Sequence, residues 1–112
     1  MRKKVCIIFG GESVEHEISI ISANSILNNI DKRKYKVFGI FISKDGEFHE
    51  AVYKINKSLK YNFIIKKRNK ILFSSNVNRN IVIMNKNEVQ SKTKIDIFFP
   101  MVHGTGGEDG KI

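Results

Sequence analysis

Tryptophan is absent from this 112-residue chain, and proline and cysteine occur once each, as Pro100 and Cys6. A single cysteine cannot close an internal disulfide, so the chain is not a disulfide-stapled scaffold. Inside the apolar run Val5-Cys6-Ile7-Ile8-Phe9, a lone thiol reads as packing. No apolar run approaches the roughly 18 residues of a membrane helix. The start, Met1-Arg2-Lys3-Lys4 and then Val5 to Phe9, is also too short for the roughly 7 to 15 residues of a signal-peptide core. We expect a first β-strand and a cytoplasmic protein without a membrane partner.

Acidic residues are scarce in the middle. Residues 1–53 carry eight basic and seven acidic side chains, 54–94 carry eleven and one, and 95–112 carry one and three. A basic patch can bind nucleic acid or another anionic surface. Here the cations alternate with asparagine, as in "KKRNK" and "NVNRN", and neither zinc-finger spacing nor an RNA-binding aromatic signature is present. A solvated lysine-rich face is the simpler reading, and nucleic acid is not expected as a partner.

Several nucleotide and metal signatures are missing too. "GGESVE" lacks G-x-G-x-x-G spacing, G-x-x-x-x-G-K-[ST] does not occur, and "TGGEDG" would place two carboxylates against a phosphate. Asp-x-Asp, Cys-x-x-Cys and His-Glu-x-x-His are absent. Glu15-His16-Glu17 is no metal signature, because adjacent helical residues point in different directions.

What is present reads as one α/β domain over 1–112, built on an open, mostly parallel sheet with flanking helices. Residues 4–9 form a buried strand that Gly10 and Gly11 end. Ser13 suits a helix N-cap, and Glu15 and Glu17 fall in the first turn, where the dipole favours anions. The periodicity Ile18, Ile21 or Ser22, Ala23, Ile26, Leu27, Ile30 predicts a helix over about 14–29. "YKVFGIFIS" at 35–43 is a second buried strand, and Asp45-Gly46 predicts a short hairpin arm to about His49. Strand, helix and strand make a βαβ unit with a right-handed crossover. Residues 50–94 read as a small β decoration, three short strands or a meander, inserted into the core. Residues 95–99 form a last buried strand, which Pro100 breaks.

Ligands of open parallel sheets bind beyond the carboxyl ends of the strands. Residues 10–19 and 100–110 both leave strands on that edge. Glu15 and His103 could therefore face one crevice, although 88 positions separate them. A carboxylate at a helix N-terminus is held in its charged form, which suits an ammonium ligand better than proton abstraction; the alternative is that Glu15 and Glu17 only cap the helix. His16 reads as exposed. His103 precedes Gly104, which permits close backbone approach to a ligand.

Two separated segments carry a family resemblance. "IIFGGESVEHEISIISANSILNNID" resembles the opening of the D-alanine–D-alanine ligases and their D-alanine–D-lactate relatives. "DIFFPMVHGTGGEDGKI" is similar to the end of the same N-terminal domain, and "FISKDGEF" fits between them. The resemblance implies an ATP-grasp enzyme of peptidoglycan precursor synthesis. In this family ATP phosphorylates the carboxylate of one D-alanine, and the amine of a second attacks, with Mg²⁺ assisting. It further implies that Glu15 binds the ammonium of the first D-alanine, as a catalytic and substrate-binding residue. His103 and Gly104 would lie near that substrate, and Ile18 near its methyl. Ser19 and Ser22 would support the helix start. Family members continue into nucleotide- and metal-binding subdomains, so ATP and Mg²⁺ belong to a parent enzyme and neither is expected to bind this segment alone. A homodimer is implied, and the fragment by itself is expected to be inactive. Two other readings stay open: a D-alanine–D-lactate parent, or a small basic α/β interaction domain.

Overall fold

The computed structural model describes residues 2–11, 16–73 and 80–101, with His16 described in its backbone only. In chain order the elements are β1 (Lys3–Gly10), α1 (His16–Asn29), β2 (Tyr35–Ile42), β3 (Phe48–Ile55), β4 (Tyr61–Phe73), β5 (Asn80–Asn85), β6 (Glu88–Lys94) and β7 (Ile97–Pro100). All seven strands share one sheet in the order β6-β5-β4-β3-β2-β1-β7.

The βαβ unit forms as its pattern requires. β1 and β2 run parallel in register from Lys3↔Tyr35 to Gly10↔Ile42, and β7 adds to β1 in parallel from Val5↔Ile97 to Ile8↔Pro100. Period-two alternation sends Ile7 and Phe9 to one face and Cys6 and Ile8 to the other. On the first face α1 inserts Ala23 and Leu27 against Ile7, Phe9, Val37, Phe41, Ala51 and Phe63. The Phe63 ring stacks on Phe9 at 4.9 Å. Gly39 is small by necessity, since a Cβ there would stand 2.6 Å from the Phe63 ring.

Polar side chains lock the helix to β4. Asn24 Oδ1 accepts from Phe63 N at 2.9 Å, while Asn28 accepts from Tyr61 N at 2.7 Å and donates to Tyr61 O at 2.8 Å. No basic residue occupies the last turn of α1. Lys32, just beyond it, donates its Nζ to Leu27 O and lies 4.1 Å from the Tyr61 ring centroid. It thereby satisfies a helix-end carbonyl.

The second face departs from expectation. The expected open, mostly parallel sheet with flanking helices gives way to a mixed sheet with two parallel and four antiparallel pairings, and α1 is the single helix among the described residues. Nor do residues 50–94 hang on the core as a small decoration: with the start of β3 they supply four of the seven strands, as a meander. β4 serves two partners. Its first part, Tyr61 to Lys66, pairs with β3, and its second, Lys70 to Phe73, pairs with β5. The register shifts between His49 and Glu50, which face Lys70 and Lys66, so three residues of β4 bulge out. Bulges bend a strand and increase its twist. Asn69 ties this bend down, donating to Glu50 Oε1 and accepting from Asn85 Nδ2, each at 2.7 Å.

That bend closes the second core. Ile71, Ile81, Ile83 and Ile95 pack over Cys6 and Ile40. The sheet has to curl, because β6 and β7 lie at opposite ends of the strand order yet only Ile95 and Asp96 join them. Asp96 pins the return: its N donates to Lys4 O at 2.9 Å, and its Oδ2 accepts from Lys4 N at 2.7 Å. The β5–β6 hairpin turns on Lys86 and Asn87, both at positive φ, without any glycine.

Candidate functional site

The carboxyl edge of the parallel strands is where the sequence placed its candidates, and its anchoring is specific. β1 ends in Gly10 and Gly11, with φ of 95° and 104°. A Cβ at Gly10 would stand 2.2 Å from Ile42 O, so glycine is required by both conformation and space. Gly10 N donates to Ser19 Oγ at 2.7 Å, and Gly11 N donates to Ile42 O at 2.7 Å. Ser19 is buried, and its hydroxyl ties the end of β1 to the first turns of α1. The supporting role expected of Ser19 is thus the one observed.

β7 delivers the other wall. Because Ile8 lies level with Pro100, the chain leaves β1 and β7 side by side, on one edge. Met101 N donates to Ile8 O at 2.6 Å and so continues the pairing just past Pro100. The described chain therefore leaves β1 at Gly11 and β7 at Met101 on the same edge of the sheet.

Of the sequence-derived site residues, Ile18 is described. It is 59% exposed near the start of α1. Glu15, His103 and Gly104 lie outside the described residues, as do Ser13 and the expected exposure of the His16 side chain. Glu17 is exposed in the first turn of α1.

Fit for a nucleotide or metal is poor among the described groups. The Gly10 and Gly11 amides are engaged by Ser19 and Ile42, leaving neither free to cradle a phosphate. No cluster of three or more His, Cys, Asp or Glu side chains that could hold a metal occurs among the described residues. No helix among them is long and apolar enough to cross a membrane.

Two features escaped the sequence reading. His49, level with Phe41, is buried, and its Nδ1 has no hydrogen-bond partner. It lines a cavity of about 430 Å³ with Phe41, Ser43, Asp45, Glu47 and Lys70. The Ser43 hydroxyl donates to Asp45 and holds that carboxyl below its ordinary range, and Lys70 pairs with Glu47. No local signal marks His49, because its burial depends on the bend of β4. The second feature is a cavity of about 270 Å³ under the β4–β5 flap, bordered by Arg2, Lys36, Phe38 and Glu50 and away from the strand exits. Cys6, fully buried, has its thiol pushed up to about 12 by loss of hydration, which makes it packing rather than nucleophile.

Comparison with known proteins converges. The sequence family described as D-ala D-ala ligase N-terminus matches residues 4–112. Similar curated proteins include D-alanine--D-alanine ligases of Clostridium novyi, 41% identical over the whole chain, and Clostridium acetobutylicum, 40% identical. Each match takes in 29% of the relative, so the chain spans under a third of the proteins it resembles. Among solved structures, the VanG D-Ala:D-Ser ligase from Enterococcus faecalis superposes with a TM-score of 0.72 at 27% identity, covering 98% of this chain and 32% of that one. The D-alanine-D-alanine ligase from Coxiella burnetii gives 0.67 at 29% identity, covering 97% and 31%.

Proposed function

The chain belongs to the D-alanine–D-alanine ligase N-terminal family, and from that premise we propose that it forms the first-D-alanine wall of a cytoplasmic, ATP-dependent ligase of peptidoglycan precursor synthesis. The observation that carries this reading is the adjacency of the β1 and β7 exits on one sheet edge. Glu15 follows the first exit by five residues and His103 follows the second by three.

Glu15 would hold the ammonium of the first D-alanine. A helix-start carboxylate stays charged, so it binds a cation without competing for its proton. Ile18, exposed on α1, would meet the substrate methyl. His103 and Gly104 would close the site from the β7 side, where glycine lets the backbone approach. The reaction phosphorylates the first carboxylate and then forms an amide as the second amine displaces phosphate. This segment contributes binding and orientation to it. ATP and Mg²⁺ would be held by the rest of a full-length ligase. The segment alone would not ligate, and the full enzyme would be a homodimer.

The test is a chimera joining this chain to the remainder of the Clostridium novyi ligase. Phosphate release that depends on both ATP and D-alanine is expected. Glu15→Gln should raise KM for the first D-alanine by roughly 100-fold or more, the cost of leaving a buried charge unpaired. An unchanged KM overturns the assignment. Phosphate release by the isolated chain, above a Glu15→Gln control, overturns the claim that it is inactive alone. Sedimentation of the chimera tests the dimer.

A further inference from the structure

A second concave surface lies far from the strand exits. Alternation along β2 puts Lys36, Phe38 and Ile40 on the face opposite α1. The β4–β5 flap covers that face only in part. Ile71, Ile81 and Ile83 join the core around Cys6 and Ile40, and they also line a cavity of about 270 Å³ whose other walls include Phe38, Gly39 and Val52. Phe38 and Val52 are half-buried there.

Charge is unevenly distributed along this cleft. Arg2 and Lys36 border it near the starts of β1 and β2, and both are exposed. Arg2 Nη1 donates to Lys32 O at 3.1 Å, and the Lys36 ammonium stands 5.6 Å from the Phe38 ring centroid. Among the described residues neither cation pairs with a carboxylate. The carboxylate that lines the cleft belongs to Glu50, level with Ile40 and so roughly 13 Å further along β2 than Lys36. Its Oε1 accepts from Asn69 at 2.7 Å, which ties it to the bend of β4. An anionic head is therefore drawn to the Arg2–Lys36 end and repelled from the inner end, while an apolar body meets isoleucine and phenylalanine. Apolar cavities hold water poorly and take up small apolar groups. A volume of about 270 Å³ lies at the lower end for small-molecule sites, so the ligand is small.

We propose that this cleft binds a small organic anion with an apolar body, an arylalkyl or branched-chain carboxylate, with its head at Arg2 and Lys36 and its body under Ile71, Ile81 and Ile83. The length of β1 puts roughly 25 Å between this mouth and the strand exits, so the ligand is distinct from the substrate of the proposed ligase site. Because it touches both β2 and the flap, it holds the flap onto the sheet. The inference rests on neither Glu15 nor His103.

The test titrates hydrocinnamate into the chain and reads backbone amide shifts together with the thermal midpoint. Saturable shifts are expected at Phe38, Gly39, Val52 and Ile81–Ile83, with a raised midpoint and none at Gly10, Gly11 or Ser19. The neutral hydrocinnamamide should bind at least roughly threefold more weakly, and Arg2→Met combined with Lys36→Met should weaken the carboxylate roughly tenfold while leaving the amide unchanged. Val52→Trp, at a half-buried wall position, should fill the cleft and abolish binding of both. If that variant fails to fold, the double change at the exposed Arg2 and Lys36 decides alone. Equal affinity for the acid and the amide overturns the proposal. So do shifts centred on the strand exits, and so do unsaturable shifts spread over the lysines of β4 and β6, which mark unspecific ion pairing. Absence of binding by both hydrocinnamate and isocaproate overturns it as well.

Discussion

The β1–β2–β7 half and the β3–β6 half of this sheet reach burial by opposite routes. β1 and β2 are nearly continuous apolar runs, buried on both faces. β4 mixes cations with apolar residues at its exposed positions and buries isolated residues such as Phe63 and Ile71, while β6 buries none. The first half needs a cover on each side. The second half provides one of them by bending at Lys67–Asn69 and folding β5 over Cys6 and Ile40. A strand pair can therefore stand in for a helix, provided that alternate residues along it are apolar and face inward.

The comparison breaks most severely at Phe63, the β4 residue that enters the helix-side core and stacks on Phe9. Phe63→Ala should cost roughly 3–5 kcal/mol, a large share of the stability of a small domain, read as a lowered urea midpoint. The two covers can then be set against each other. Leu27→Ala removes contact from the helix cover and Ile81→Ala from the strand cover, and both side chains are fully buried. Each should cost about 3 kcal/mol. If the halves form one cooperative unit, both variants shift a single transition; two separate transitions in the Ile81→Ala variant would show that the flap opens by itself.

Gly39→Val probes the contact between the halves from the other direction. The added Cβ meets Phe63 and Ala51, and overpacking of this kind costs roughly 1–3 kcal/mol. Gly39→Val combined with Phe63→Leu should recover part of that loss, and no recovery would place the strain elsewhere. Asn24→Ala strips the β4 amide of Phe63 of its acceptor and should cost about 1–2 kcal/mol. Fraying of amide protection at Tyr61–Phe63 would be its signature.

Cys6 gives a pH-dependent comparison beneath the strand cover. Burial raises its thiol from 9.0 to about 12. The folded state then holds a proton that the unfolded chain releases, so this contribution is whole below pH 9 and is lost as pH climbs toward 12. The slope should be about 1.4 kcal/mol per pH unit in that window. Cys6→Ala should flatten it, and an identical slope in the variant would refute the burial argument.

Legibility followed the same division. The strands at 4–9 and 35–43 and the helix ending near Asn29 were readable because their apolar patterns are local: short continuous runs, or spacing of three and four. The stretch from Phe48 to Lys94 was legible as strands or a meander, but not as four members of the main sheet. Their inner residues are diluted by cations, and the β5–β6 turn uses Lys86 and Asn87 at positive φ instead of a glycine. The bend in β4 has no sequence signature of its own; Asn69 defines it through Glu50 and Asn85, partners distant in the chain. At the site, Gly10-Gly11 and Ser19 could be read as a turn and its support. The orphaned Nδ1 of His49 could not, since only the folded neighbours deprive it of water.

By itself the sequence determined the family and the βαβ start, because motifs, helical periodicity and glycine-bounded strands are written in neighbouring positions. Only the tertiary structure decided that the second face is closed by strands and that β1 and β7 leave the sheet side by side. Those outcomes depend on pairing and curvature between residues dozens of positions apart, whose free energy no local pattern encodes.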